Sequence, residues 1–291
     1  MTKRRAILIA GPTASGKSAM AVEQAKACGG YIVNADSIQV YDVLNVLTAR
    51  PPKADLATVD HFLYGHVHPG QYYSVARWMA DVQELLLRED LLDRTPVFVG
   101  GTGLYFKALT GGLSTMPDVP DTIRQKWRAR LVDIGPEALH QFMSADDPQA
   151  GVRIKPQDGQ RIVRALEIFE ASGAPITYWQ SQGSDPLIDV AASDHMYLLP
   201  DRAVLDERIV KRLQTMVEIG ALDEVKALMA LHLDPALPAM KAIGVPEFMD
   251  HLAGKTDLET ALRLANFSTR QYVKRQATWL RHQLGPQWRS C

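Results

Sequence analysis

Residues 6–18, Ala-Ile-Leu-Ile-Ala-Gly-Pro-Thr-Ala-Ser-Gly-Lys-Ser, constrain the fold of this chain more than any other stretch. Ile7, Leu8 and Ile9 are a short apolar run that reads as a buried strand. It feeds Gly11-Pro12-Thr13-Ala14-Ser15-Gly16-Lys17-Ser18, which fits the phosphate-loop pattern in full. The glycines let backbone N–H groups curl inward into an anion-binding nest. Lys17 adds a point charge for terminal phosphates. Ser18 offers a hydroxyl to Mg²⁺ and opens a helix whose N-terminal dipole favours anions. A plain glycine turn between strand and helix is the alternative. The apolar run before the loop and the helical run after it (Ala19, Met20, Ala21, Val22, Ala25) favour the phosphate site. The ligand is then a di- or triphosphate. Whether an ATP-type nucleotide carries it stays open.

The chain continues in an α/β rhythm. Tyr31–Ala35 reads as a second strand, with Asp36 at its carboxyl end, where ligands bind in open α/β sheets. Asp36-Ser37 also reads as a helix cap. Residues 48–75 are turn-rich. The His66-x-His68 pair there has no carboxylate or cysteine near it in sequence, so a metal site is not expected. Tyr73–Leu92 is helical in period, and Pro96–Gly101 is a third buried strand. That strand ends in Gly100-Gly101-Thr102-Gly103, not in the acid with which a nucleotide hydrolase holds Mg²⁺. Its glycines are expected to bring backbone close to a ligand. Residues 117–190 read as an insertion, with helical runs near 121–133, 136–143 and 156–172 and a polar, turn-rich stretch at 181–186. Gln160, Arg161 and Arg164 share a helix there and suit a mobile lid. A strand at His195–Leu199 follows, then helices to about 231 and near 256–283. The expected fold is α/β: a phosphate-loop NTPase-like core with a parallel sheet flanked by helices, at 1–116 and 191–291, and a mostly helical insertion at 117–190.

Net charge is −1, so composition alone names no polyanionic partner. Distribution does. From Asn266 onward there are five basic residues, Arg270, Lys274, Arg275, Arg281 and Arg289, and no Asp or Glu. Arg124, Lys126, Arg128 and Arg130 form a second acid-free cluster. Beside a phosphate loop, such clusters raise the odds of a nucleic acid. The two cysteines, Cys28 and Cys291, fit no zinc or redox spacing and suit a reducing cytoplasm. The basic start Met-Thr-Lys-Arg-Arg is not read as a signal peptide, and no apolar run suits a membrane span.

Taken together, these blocks resemble the tRNA dimethylallyltransferase (isopentenyltransferase) family. The carriers are Gly11–Ser18, Asn34-Ala-Asp-Ser-Ile-Gln-Val-Tyr41, Gly100-Gly-Thr-Gly-Leu-Tyr105, Gln160-Arg-Ile-Val-Arg164, Asp206-Glu-Arg-Ile-Val-Lys-Arg212 and Arg270-Gln-Tyr-Val-Lys-Arg-Gln-Ala-Thr-Trp-Leu-Arg281. The resemblance implies transfer of a dimethylallyl group from dimethylallyl diphosphate to the N6 amine of the adenosine 3′-adjacent to the anticodon in tRNA. It implies Asp36 as general base, Lys17 and Arg208 on the diphosphate, and Mg²⁺ as cofactor. It also implies tRNA contacts from Asp36, Ser37, Ile38, Gln39, Thr102, Gln160, Arg161, Ile162, Val163 and Arg164. The basic clusters, with Arg124, Lys274 and Arg275 among them, would grip the anticodon stem-loop. A monomer in the cytoplasm, without a membrane partner, is expected. This chain departs from the family in having Asp42 after the Val-Tyr pair, Arg50 before Pro51, and Val245-Pro246 after Ile243-Gly244. The zinc-finger extension of some eukaryotic relatives is absent, which points to the bacterial type. A phosphate-loop kinase, a non-catalytic RNA-binding switch and an adenylate isopentenyltransferase acting on free nucleotides are the alternatives.

Overall fold

Six short segments pair side by side, and the three central to the core, Ile7–Ala10, Tyr31–Asn34 and Pro96–Gly100, are buried at every residue, as in a parallel sheet covered on both faces. In a computed structural model of the chain, which describes residues 3–183 and 185–291, the six are β1 (Ile7–Ala10), β2 (Tyr31–Asn34), β3 (His61–Phe62), β4 (Pro96–Gly100), β5 (Asp194–Tyr197) and β6 (Arg289–Ser290). All pairings are parallel, in the order β3-β2-β4-β1-β5-β6. Ile9 sits beside Val99 on one side and Met196 on the other. Leu8, Ala10, Val33 and Phe98 enter one core, while Ile7, Ile9, Ile32 and Val97 enter the other. That alternation is the period of a strand buried on both faces.

Helices follow between the strands. They are α1 (Lys17–Ala27), α2 (Lys53–Leu56), α3 (Val75–Leu86), α4 (Gly103–Gly111), α5 (Asp121–Asp146), α6 (Pro148–Arg153), α7 (Gly159–Ser172), α8 (Ile176–Ser181), α9 (Arg202–Glu218), α10 (Ala221–Met229), α11 (Val245–Leu252) and α12 (Leu258–Gln283). The helices expected from sequence are present. α5 breaks at Gly135 (φ 79°), ahead of Pro136. β3 and β6 escape the sequence reading, because two residues are too few to show a period. Val245-Pro246, where the chain departs from the family pattern, starts α11, with Pro246 in its first turn and Gly244 (φ 95°) as N-cap.

The chain divides into two compact units. The first is residues 1–110 with 187–291, and the second is 111–186. The second has its own core, built from Leu139, Met143, Ile162, Leu166 and Ile168. Met1 and Thr2 of the basic start, and Ser184 of the 181–186 stretch, lie outside the described residues. Among the described residues no helix is long and apolar enough to cross a membrane.

Candidate active site

β1 delivers the chain into the loop at Gly11, whose N–H donates to the Gly100 carbonyl at the end of β4 (3.2 Å). Ala14 (φ 65°) and Gly16 (φ 94°) both take left-handed backbone conformations, which turn successive N–H groups into one concavity. Lys17 begins α1 and folds back, its Nζ donating to the Pro12 carbonyl (3.2 Å). Ser15 Oγ is buried in the loop and has no hydrogen-bond partner. A buried orphan hydroxyl in a nest of amides fits an anion that supplies the missing acceptor. Ser18 is exposed in the first turn of α1. No group of three or more His, Cys, Asp or Glu side chains suited to a metal occurs among the described residues. Mg²⁺ fits such a site only by sharing a diphosphate, with Ser18 and water completing its shell, which is how the ion is commonly held.

Asp36 follows β2 and is not a helix cap, since no helix starts there. Its Oδ1 accepts from the Ile38 N–H (3.1 Å), closing a local turn. Fully buried Asn34 fixes the carboxylate's backbone. Its Oδ1 accepts from Asp36 N–H (2.9 Å), and its Nδ2 donates to the Asp36 and Leu63 carbonyls (both 2.9 Å). Thr102 Oγ1 accepts from Ser37 N–H (2.9 Å), so the end of β4 braces the same turn.

Asp36 lines a cavity of about 300 Å³ together with Thr13 of the phosphate loop. From α9, Arg212 reaches this cavity beside Ile209, Leu213 and Met216. From α12 come Thr269, Tyr272 and Arg275, and Leu47 and Ile243 complete an apolar wall. Burial pushes Lys17 down to about 8, against the pull of the Asp36 charge, with Arg212 adding to the drop. Burial likewise lowers Arg212 from the usual guanidinium range, and Asp36 opposes it. Burial, and then the Asp36 charge, raise the Tyr64 and Tyr272 hydroxyls above the ordinary tyrosine value. One carboxylate thus faces two desolvated cations next to an apolar wall. Such an arrangement has the chemistry to hold an anion beside an apolar group and to accept a proton there.

Comparison with known proteins gives this geometry a family. The family model described as IPP transferase matches residues 39–283, and one described as isopentenyl transferase matches residues 4–65. The chain is 56% identical over 283 residues to a tRNA dimethylallyltransferase of Chelativorans sp., covering 97% of each chain. It is 55% identical over 285 residues to that of Mesorhizobium japonicum, covering 98% of this chain and 88% of the other. The chain belongs to the tRNA dimethylallyltransferase family. Among solved structures it resembles the tRNA isopentenylpyrophosphate transferase of Bacillus halodurans (31% identity, TM-score 0.69, covering 99% of this chain and 90% of that one). It also resembles a eukaryotic dimethylallyltransferase acting on tRNA (26% identity, TM-score 0.82, covering 99% and 74%).

Several residues singled out in the sequence have other neighbours than expected. The glycines at the end of β4 and just after it make room for the protein's own groups. A Cβ would lie 2.0 Å from the Ala35 carbonyl oxygen at Gly100, 2.1 Å from Gln276 Nε2 at Gly101, and 2.2 Å from the Trp279 ring at Gly103. α12 is correspondingly more than a basic face. Its buried Gln276 accepts from Thr13 N–H (3.0 Å) and donates to the Gly101 carbonyl (2.9 Å), bolting the phosphate loop to the end of β4. Arg270 pairs with Asp206 of α9 (3.3 Å). Lys274 and Arg275 are exposed, with the Arg275 guanidinium over the Tyr272 ring (5.6 Å). Arg208 is exposed and lies outside the cavity lining. Its Nη1 donates to the Ala14 carbonyl (3.3 Å). Arg212, one turn further along α9 and legible in the sequence only as the i, i+4 neighbour of Arg208, lines the cavity with Asp36. Gln39 spends its amide on the Thr48 and Ala49 carbonyls (both 2.9 Å).

In the second unit, Ile162 and Val163 have buried side chains that hold α7 in its core, so they are not surface contacts. Gln160 and Arg161 are exposed, with Arg161 close to Asp158 (3.4 Å) and Arg164 close to Glu167 (3.4 Å). Arg124 donates to the Val119 carbonyl (3.1 Å). His66 does have a carboxylate neighbour, Asp81 at 3.3 Å. Asp81 is fifteen residues on, so it was invisible at close sequence range.

Proposed function

We propose that this chain transfers a dimethylallyl group from dimethylallyl diphosphate to the exocyclic N6 amine of the adenosine 3′-adjacent to the anticodon in tRNA, releasing pyrophosphate. The observation that carries the reading is the cavity beside the phosphate loop, where Asp36, Arg212 and an apolar wall converge, with the Lys17 ammonium coupled electrostatically to Asp36. The loop amides and Lys17 cradle the diphosphate, and Arg212 takes the role expected of Arg208. The C–O bond to the diphosphate breaks as the C–N bond to N6 forms, and the N6 proton passes to the Asp36 carboxylate. Charge growing on the leaving diphosphate meets preorganised donors in a water-poor site, where they are worth most. Mg²⁺ held by the Ser18 hydroxyl and the diphosphate would add Lewis-acid neutralisation of the leaving group. No acid ends β4, in keeping with a diphosphate that leaves intact and is not hydrolysed.

The target adenine must leave its stack to reach Asp36, as in other enzymes that act on a base. Ser37, Lys274 and Arg275 on the first unit, and Arg124, Gln160, Arg161 and Arg164 on the second, are assigned to tRNA. The protein is proposed to act as a monomer, in the cytoplasm with its tRNA. The test is transfer of radiolabel from dimethylallyl diphosphate to unmodified tRNA with Mg²⁺ and without ATP. Label in tRNA supports the reading. No label, with ATP consumed or a small molecule phosphorylated instead, replaces it with a kinase.

A further inference from the structure

The apolar half of the cavity has a hard end. Leu47, Leu213 and Met216 line it, and each is also a member of the buried cluster that contains Val225, Leu228 and Phe248. Beyond these three side chains lies packed core and not solvent. Leu213 and Met216 are fixed by α9. Leu47 belongs to no helix or strand, yet it is held as firmly by two devices. The first is Glu224 of α10, whose carboxylate accepts from three successive backbone N–H groups: Asn45 (3.0 Å), Val46 (2.6 Å) and Leu47 (2.9 Å). Three charge-assisted bonds to one carboxylate pin the loop at the residue that faces the cavity. The second is Gly244. A Cβ there would lie 2.7 Å from Leu47 Cδ1, so the leucine occupies the space that any other residue's side chain would take.

We infer that Leu47, seated against Gly244 and held by the Glu224 carboxylate, closes the apolar end of the cavity and limits the prenyl donor to one isoprene unit. The inference rests on the transferase reading above and adds the residue that measures the donor. Leu47 meets the tail directly, and Glu224 is a positioning residue that acts through the loop backbone. A donor one isoprene unit longer must displace Leu47 or Met216, and both abut a core with no free volume to receive them.

The experiment is a competition between dimethylallyl and geranyl diphosphate for transfer to unmodified tRNA, the products being separated by mass. In Leu47→Ala the geranyl-to-dimethylallyl ratio of kcat/KM rises by at least about tenfold over the unsubstituted protein, the discrimination one apolar group commonly carries. Met216→Ala raises it in the same direction. Glu224→Gln also raises it, through donor KM more than through kcat, since the catalytic groups are untouched. Circular dichroism follows the folding of each variant, and Met216→Ala carries the test if Leu47→Ala does not fold. An unchanged ratio in folded variants that still prenylate tRNA overturns the inference. No transfer from dimethylallyl diphosphate by the unsubstituted protein overturns the transferase reading instead, so the two failures are distinct.

Discussion

Lys17 and Arg212 bear on Asp36 from two different elements, α1 and α9, and both are half-buried and partly desolvated. The consequence at Lys17 is a pH limit. Its value lies at about 8, below the ordinary 10.5, so the ammonium is present below about pH 8 and is lost above it. kcat/KM for the diphosphate, which reports the free enzyme, is expected to fall as pH rises through about 8. The linkage to stability runs the other way. Between about 8 and 10.5 the unfolded chain keeps a proton that the folded chain has shed, so the protein gains stability with rising pH across that window. Parallel pH profiles of donor kcat/KM and of thermal melting check both signs. The two arginines of α9 separate in the same way. Arg212→Ala, which removes a desolvated charge from the cavity, is expected to cost about 10²–10³ in turnover. Arg208→Ala, on an exposed side chain bonded to one carbonyl, is expected to cost under about tenfold. Steady-state kinetics on the two variants decides which residue serves the diphosphate.

At the scale of elements, α12 carries both residues proposed for recognition and residues that brace the core. Its outward face carries Lys274 and Arg275, while its inward face carries Gln276 and Trp279 against the phosphate loop and β4. Gln276→Leu leaves a buried Thr13 N–H and Gly101 carbonyl unpaired, at about 1–3 kcal/mol each. The expected result is a lower melting temperature and a raised KM for the diphosphate, with tRNA affinity unchanged, measured by melting, kinetics and filter binding. This double duty also explains what the sequence could and could not show. Strands such as Ile7–Ala10 and helices such as α12 are legible because their evidence is contiguous. The partner of a glycine is not. Gly101 and Gln276 lie far apart in the chain, and only the folded structure shows which one makes room for the other. Glu224 is hidden for the same reason, since it serves a loop 177 residues earlier. Arg208 and Arg212 share one helix face by spacing alone, so only packing tells the buried one from the exposed one.

For the molecule as a whole, the parallel sheet gathers the loop after β1, the turn after β2 and the end of β4 at one edge, where α9 and α12 close the cavity. The groups coupled to Asp36 come from segments as distant as Lys17 and Tyr272, and the fold is what brings them together. The motif blocks made the phosphate loop and Asp36 visible in advance. The apolar wall was not visible, because Leu47, Leu213 and Met216 read as ordinary core until a cavity is seen between them. In the proposed reaction Asp36 takes the proton of an adenine amine while the phosphate loop holds the departing diphosphate. The most direct test is single-turnover transfer of dimethylallyl to tRNA by Asp36→Asn, with tRNA affinity measured beside it. The account predicts a loss of about 10²–10⁴ in transfer rate, the usual worth of a general base, with tRNA still bound. Transfer by the variant at the unsubstituted rate would contradict it.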